Sequence, residues 1–278
     1  MTGAPALQWF AAPGKLNLFL HVLGRRPDGL HDLQTVFRLL DVADRVGVAV
    51  RGDADIRFTG DFGADNLCVR AAKALQNAAN IAKGADIVLE KKLPVGGGMG
   101  GGSSDAATVL LALNRLWALD WSRARLRALG ATLGADVPFF VFGENALGEG
   151  FGERLTPLQL PEAWYLVLHP QVAVSTKEIF TDPALTRDSK PLKIPPFLSG
   201  QGRNDLQDVA VRRYPEIATH LAWLEQQGLR ARMTGSGACV FAEFPDRGSA
   251  AAVHDRLPSA MQGFIAQGLQ RHPLHDWA

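Results

Sequence analysis

Six glycines fill seven consecutive positions in Pro94-Val95-Gly96-Gly97-Gly98-Met99-Gly100-Gly101-Gly102-Ser103-Ser104. Glycine loses more backbone entropy on folding than any other residue, so a run this dense must serve something. It offers a backbone with no Cβ in the way, N–H groups free to converge, and the positive end of a following helix. Those are the means of cradling a polyphosphate, and close approach of this kind calls for positive φ at Gly98 and Gly101. A Gly/Ser linker joins segments, whereas this run lies between a strand-like stretch and a helix expected over Ser103–Leu119. A Walker A loop needs a lysine before the hydroxyl, and here Gly102 precedes Ser103. Gly96–Gly101 does satisfy G-x-G-x-x-G, but so would almost any run of this composition. Asp61-Phe62-Gly63 spells the metal-binding triplet of protein kinases, yet it lies upstream of the glycines and no H-R-D loop exists.

Phosphorylating an alcohol also needs a base, local positive charge and in-line geometry. Asp136 stands before Pro138 and the apolar run Phe139-Phe140-Val141-Phe142, which would desolvate its carboxyl. Residue chemistry alone leaves it equally a base or a helix cap. Lys15 follows Pro13-Gly14 and opens an alternating strand. Facing inward, its ammonium needs an anion, and a Lys–Asp pair meets that cost; facing outward, it is a solvated lysine. Asn17 shares its strand face.

These residues need elements to hold them. Alternating stretches over Gln8–Ala12, Leu16–Leu23, Gln34–Leu40 and Val46–Arg51 predict four strands, with Pro27-Asp28-Gly29 as a turn. A helix is expected over Asp65–Asn80, a strand over Ala85–Leu93, and a helix from Ser122 to Gly130 or Gly134. The second half begins at a buried strand, Trp164–His169. It continues through helices over Asn204–Tyr214 and Pro215–Gln227, a strand pair around Gly235-Ser236-Gly237, a helix near Ala250 and a strand near Phe264. That β-α-β-β-α-β order is ferredoxin-like. Gly235-Ser236-Gly237 reads either as a plain hairpin turn or as a second-domain turn closing over the phosphates. Thr186–Gln201, rich in Pro, Lys, Ser and Gly, is expected to be a mobile loop. The fold class is α+β in two domains, 1–160 and 161–278.

The 29 basic and 28 acidic residues leave a net charge of +1, giving no field to gather nucleic acid or anionic lipid. Cys68 and Cys239 sit in apolar stretches with no metal spacing. Met1–Phe10 carries no basic residue, and the longest apolar runs fall well short of the roughly 20 residues of a membrane span. A cytoplasmic protein is expected, a monomer or weak homodimer.

Four further segments accompany the glycine run, in order: Ala12-Pro13-Gly14-Lys15-Leu16-Asn17-Leu18, Arg26 to Phe37 with Gly29-Leu30-His31, Gly134-Ala135-Asp136-Val137-Pro138, and Met233-Thr234-Gly235-Ser236-Gly237. From about Trp9 to Phe244 the chain resembles the GHMP small-molecule kinases, in particular those acting on cytidyl diphosphate methylerythritol. The resemblance implies a two-domain kinase fold, ATP with Mg²⁺, and Asp136 and Lys15 as catalytic residues. It places ATP on residues 94–104, with Asn66 and Lys91 near the adenine and Ser103 or Ser104 near Mg²⁺. Asn66 could equally be a helix-start residue, and Lys91 a solvated charge. Asn17, Leu30, His31, Thr176 and Phe180 are implied for the acceptor, with His31 reading the cytosine edge. That family usually carries tyrosine just before this histidine, stacked on the base; here Leu30 takes its place. GHMP kinases for mevalonate, homoserine or a sugar would lack Gly29-x-His31 and Leu33-Gln34-Thr35, both present here. A non-catalytic relative would have lost Lys15 or Asp136, and a hydrolase needs a G-x-S-x-G elbow that is missing.

Overall fold

The computed structural model describes residues 6–63, 65–193 and 202–278. The first half is dominated by two long strands, β1 (Gln8–Arg25) and β2 (His31–Arg51), paired antiparallel along their length. Each merges two of the four expected strands. The polar stretch Asp41-Val42-Ala43-Asp44-Arg45 looks like a break, but both its carboxylates accept from backbone N–H groups of distant segments. Asp44 is fully buried and its Oδ1 accepts from the N–H groups of Lys92 (2.6 Å) and Leu93 (2.8 Å). Asp41 Oδ1 accepts from Gln267 N at 2.7 Å. The ladder between β1 and β2 shifts register between Pro13 and Lys15, which turns Lys15 inward beside the glycine run.

The other edge of β2 pairs with β4 (Gly84–Glu90) and with β5 (Ala146–Gly150). Beyond them lie β3 (Ile56–Thr59), parallel to β4, and β6 (Arg154–Pro157), antiparallel to β5. Helices α1 (Leu67–Ala79), α2 (Gly101–Leu116), α3 (Arg123–Ala131) and α4 (Val137–Phe142) pack on this sheet. Most of α2 is buried, from Ser104 through Asn114, as suits its run of Ala, Val and Leu. It begins two residues before the expected Ser103 and ends at Leu116.

The second half runs β7 (Trp164–His169), α5 (Thr176–Thr181), α6 (Gln207–Arg213), α7 (Pro215–Gln226), β8 (Arg232–Met233), β9 (Val240–Phe244), α8 (Arg247–His254) and β10 (Gln262–Leu269). Its strands lie in the order β10-β7-β9-β8, all antiparallel, which is the ferredoxin-like arrangement. Strand β10 also pairs with β2 through Gly268↔Leu40 and Leu269↔Leu39, joining both halves in one ten-stranded sheet. Residue 160 lies in the connection between β6 and β7, and we propose it as the division between domains.

Of the loop expected over 186–201, residues 194–201 lie outside the described residues. The rest is tied down: Ser189 N donates to Val22 O (3.1 Å), and Leu192 N to the Gln34 side chain (2.7 Å). Among the described residues no helix is long and apolar enough to cross a membrane.

Candidate active site

A cleft of about 800 Å³ opens between the halves, within the usual range for a ligand site. The glycine run forms its floor, and that floor is not loose. Ala238 N donates to Gly96 O (3.3 Å) and Cys239 N to Gly97 O (3.2 Å), so the run is stitched to the turn between β8 and β9. Gly98 holds φ +74°, and a Cβ there would sit 2.3 Å from Thr234 O. Gly101 departs from expectation. Its φ is not positive, because it is already the first residue of α2. A Cβ there would meet Lys91 Nζ at 3.0 Å, so crowding explains this glycine and backbone handedness does not. Gly100, at φ +71°, is the N-cap and no side chain caps the helix. The first-turn N–H groups therefore face the cleft, an anion site by construction.

Lys15 is buried and its three N–H donors have three acceptors. Nζ reaches Asn17 Oδ1 at 2.6 Å, Gly98 O at 2.9 Å and Asp136 Oδ2 at 3.4 Å. Asn17 Nδ2 in turn donates to Thr35 Oγ1 at 2.8 Å, so the Asn17 amide is spent on holding Lys15, although the residue still lines the cleft. Asp136 occupies the N-cap position of α4 but makes no capping hydrogen bond. Its side chain, 34% exposed, turns to Lys15 and the cleft instead. The apolar run after it does not enclose the carboxylate as expected. It turns into the core, where Phe139 stacks on Phe37 at 4.5 Å.

Lys91 is neither solvated nor free. Its ammonium bonds Asp44 Oδ2 and, at 2.8 Å, Asp105 Oδ2. Burial works against its charge, but the two carboxylates outweigh that and raise its pKa above the usual lysine range. Burial pushes the Asp105 carboxyl up to about 7. Asn66 caps α1: its Oδ1 accepts from Cys68 N (2.9 Å) and Val69 N (3.3 Å), while Nδ2 donates to Gly63 O (2.6 Å). Both residues border the cleft with their polar groups already engaged. Ser103 also lines it, whereas Ser104 is buried outside the lining with its hydroxyl unpartnered.

At the far end stand Leu30, His31, Thr176 and Phe180. Leu30 is 47% exposed on the rim. The rings of His31 and Phe180 lie 5.2 Å apart, tilted by 36°. Thr176 Oγ1 bonds Ser236 Oγ at 2.8 Å, tying α5 to the turn that bears Gly235 and Gly237. That turn closes a hairpin and also lines the cleft. Thr234 N donates to Cys239 O, and Gly235, Ser236 and Gly237 line the cleft.

Residues 66–144 match the family described as GHMP kinases N terminal domain, and residues 188–263 match GHMP kinases C terminal. The chain belongs to the GHMP kinases. It is 58% identical over 273 residues to the 4-diphosphocytidyl-2-C-methyl-D-erythritol kinase of Nitrosospira multiformis, covering 96% of this chain and 93% of that one. It is 57% identical to the kinase of the same name from Thiobacillus denitrificans, covering 97% and 98%. A crystal structure of 4-(cytidine 5'-diphospho)-2C-methyl-D-erythritol kinase superposes with a TM-score of 0.85 at 36% identity, covering 94% of this chain and 99% of that one. Homoserine kinase from Cytophaga hutchinsonii shares the fold alone, at TM-score 0.64 and 15% identity.

Phe62 and Asp105 on the wall of this GHMP kinase cleft, and Arg187 behind His31, escaped the sequence reading. Phe62, set aside with the Asp61-Phe62-Gly63 triplet, is an exposed ring on the cleft wall. Its exposure is set by the fold, and no local pattern announces it. Arg187 bonds His31 from a segment whose composition read only as loop.

Proposed function

We propose that this chain is an ATP-dependent kinase that phosphorylates the 2-hydroxyl of 4-(cytidine 5'-diphospho)-2-C-methyl-D-erythritol. The products are its 2-phosphate and ADP, on the non-mevalonate route to isopentenyl diphosphate. The observation that carries this reading is the Lys15–Asp136 contact, 3.4 Å long, set in the cleft beside an uncapped helix start. The near full-length identity to kinases of that name supports the choice of acceptor.

In this reading the triphosphate lies along residues 94–103, with its charge on the first turn of α2. The adenine lies towards Phe62 and Asn66, where a ring gives a face to stack on. The cytidyl group lies between Leu30, His31 and Phe180, which brings the acceptor hydroxyl to the middle of the cleft. There Asp136 takes the hydroxyl proton as the oxygen attacks the γ-phosphorus. Lys15 orients that carboxylate and offsets charge on the transferred phosphoryl group. Its three fixed acceptors keep the ammonium in place without reorganisation.

Among the described residues no three His, Cys, Asp or Glu side chains form a metal cage. Mg²⁺ commonly rides on substrate phosphates with one or two protein donors, so the residues present fit an ion that enters with ATP. The Ser103 hydroxyl and the unpartnered, buried Oδ1 of Asp105 are the donors this wall provides. The ion would neutralise phosphate charge.

An ADP-release assay against cytidyl diphosphate methylerythritol, mevalonate, homoserine and galactose tests the proposal. Turnover is expected with the first alone; faster turnover of another, or none of the first, overturns it.

A further inference from the structure

Arg187 spends its donors at the far end of the cleft. Nε donates to His31 Nε2 at 3.1 Å, and Nη1 to Leu185 O at 3.0 Å. Nη2 donates to Phe180 O at 3.0 Å and to Asp182 O at 2.8 Å. One side chain thus holds the backbone at the end of α5 and one nitrogen of the histidine whose ring Phe180 flanks.

A guanidinium has no acceptor and keeps its proton in proteins. His31 Nε2 must therefore present its lone pair to Arg187. A neutral imidazole with Nε2 unprotonated carries its proton on Nδ1. Nδ1 has no hydrogen-bond partner among the described residues, and His31 lines the cleft. Burial, then the charges of Arg187 and Arg25, lower the His31 pKa below the ordinary histidine value, which keeps the ring neutral at neutral pH.

We propose that Arg187 is a positioning residue for base recognition, locking His31 as the Nδ1–H tautomer with Phe180 beside it. The cleft then offers a hydrogen-bond donor to an acceptor on the edge of a pyrimidine, and cytosine presents two adjacent acceptors, N3 and O2. The inference rests on the cytidyl reading of this end of the cleft. A purely structural role for Arg187 accounts for less. Its segment is already held by Ser189 N on Val22 O and Leu192 N on Gln34 Oε1, so the chain has other means of staying in place.

The test combines imidazole ¹⁵N NMR of the full-length protein with steady-state kinetics. His31 is assigned by loss of its signal in His31→Asn. In the wild type, the His31 Nε2 resonance should be that of an unprotonated nitrogen, with the proton on Nδ1. In Arg187→Ala the tautomers should mix, and KM for the cytidyl substrate should rise about tenfold. The KM for ATP should stay within twofold and kcat within threefold. Arg187→Lys retains a single donor and should keep the tautomer while recovering part of the KM. A proton on Nε2 in the wild type overturns the proposal. So does an unchanged tautomer in Arg187→Ala, or a mixed tautomer with unchanged cytidyl KM. If the cytidyl reading itself is wrong, the wild type fails to turn over that substrate, while the NMR arm still decides whether Arg187 sets the tautomer.

Discussion

Alanine at Gly98 tests whether the glycine floor is part of the joint between the halves. Its Cβ would lie 2.3 Å from Thr234 O and 3.0 Å from Gly237 O, where ordinary contact begins at 3.4 Å. Both obstacles are backbone, so the joint must open by about 1 Å rather than a side chain swing aside. Holding alanine at φ +74° costs roughly 1–2 kcal/mol. Opening weakens Ala238 N to Gly96 O and Cys239 N to Gly97 O, each worth about 0.5–1.5 kcal/mol. Together these predict a loss of about 2–5 kcal/mol and a Tm drop on the order of 10 °C for a chain of this size. Gly98 O also leaves Lys15, so KM for ATP should rise. Gly102→Ala is the control. Its φ is not positive, its nearest neighbour is Leu67 Cδ1 at 3.5 Å, and it lies in the first turn of a helix. Its Tm should hold or rise by roughly 1–3 °C. Scanning calorimetry reads the stabilities and ADP release reads KM. If Gly98→Ala melts within a degree of wild type, or the two variants lose the same stability, the joint does not bear on the loop.

Asp136→Asn should lower kcat about 10²–10⁴-fold with KM for ATP little changed; a variant keeping more than half its kcat removes Asp136 from the chemistry. Its Tm should fall less than that of Lys15→Met: the buried ammonium loses its carboxylate, but Asp136 is partly exposed, and Asn17 Oδ1 and Gly98 O still hold Lys15 Nζ. Lys15→Met should lose kcat and Tm together, since Asn17 Oδ1 and Gly98 O are left unpaired at about 1–3 kcal/mol each; equal melting of the two variants contradicts this asymmetry. Leu30→Tyr should lower the cytidyl KM a few-fold, on the order of 1 kcal/mol, and a shift in ATP KM instead means that Leu30 does not face the base. His272 is buried, and burial, with Arg123 and His275, holds its pKa down to about 3. Below pH 6.5 the unfolded chain therefore takes up a proton that the folded chain refuses, and stability falls as pH falls towards 4. In His272→Asn, whose Oδ1 can accept from Leu274 N as Nδ1 does, denaturant titrations should show that slope reduced by up to about 1.4 kcal/mol per pH unit; an unchanged slope contradicts the assignment.

Periodicity and glycine spacing made the second half legible: its strands and helices alternate with clear breaks, and the ferredoxin-like order follows. The first half was harder, because its long strands carry polar residues that look like turns. Asp44 is the instructive case. It reads as solvent-facing until Lys91, at the end of a distant strand, supplies its partner. A residue's partner across the fold is not written in its neighbours, and burial of charge depends on that partner. The same holds at the site. The sequence brought Lys15 and Asp136 forward as types and could not say whether Asp136 caps α4 or faces the cleft. That choice was settled by a side chain that makes no cap. Phe62 and Arg187 stayed unread because each matters through where a loop lands.

Cys239 lies directly under the glycine floor, so near that a Cβ on Gly97 would approach its sulfur to 2.7 Å. The thiol is shut away, and burial pushes its pKa up to about 12, so it is inert to alkylation while the joint is closed. Its modification rate is therefore a clock that ticks only when floor and turn part. Cys68 sits in the first-half core on α1, where burial likewise raises its pKa, and its clock counts a deeper opening of that half alone. Two native thiols, with no label added, distinguish a breathing joint from a melting domain, and nucleotide held on the floor should slow the first clock.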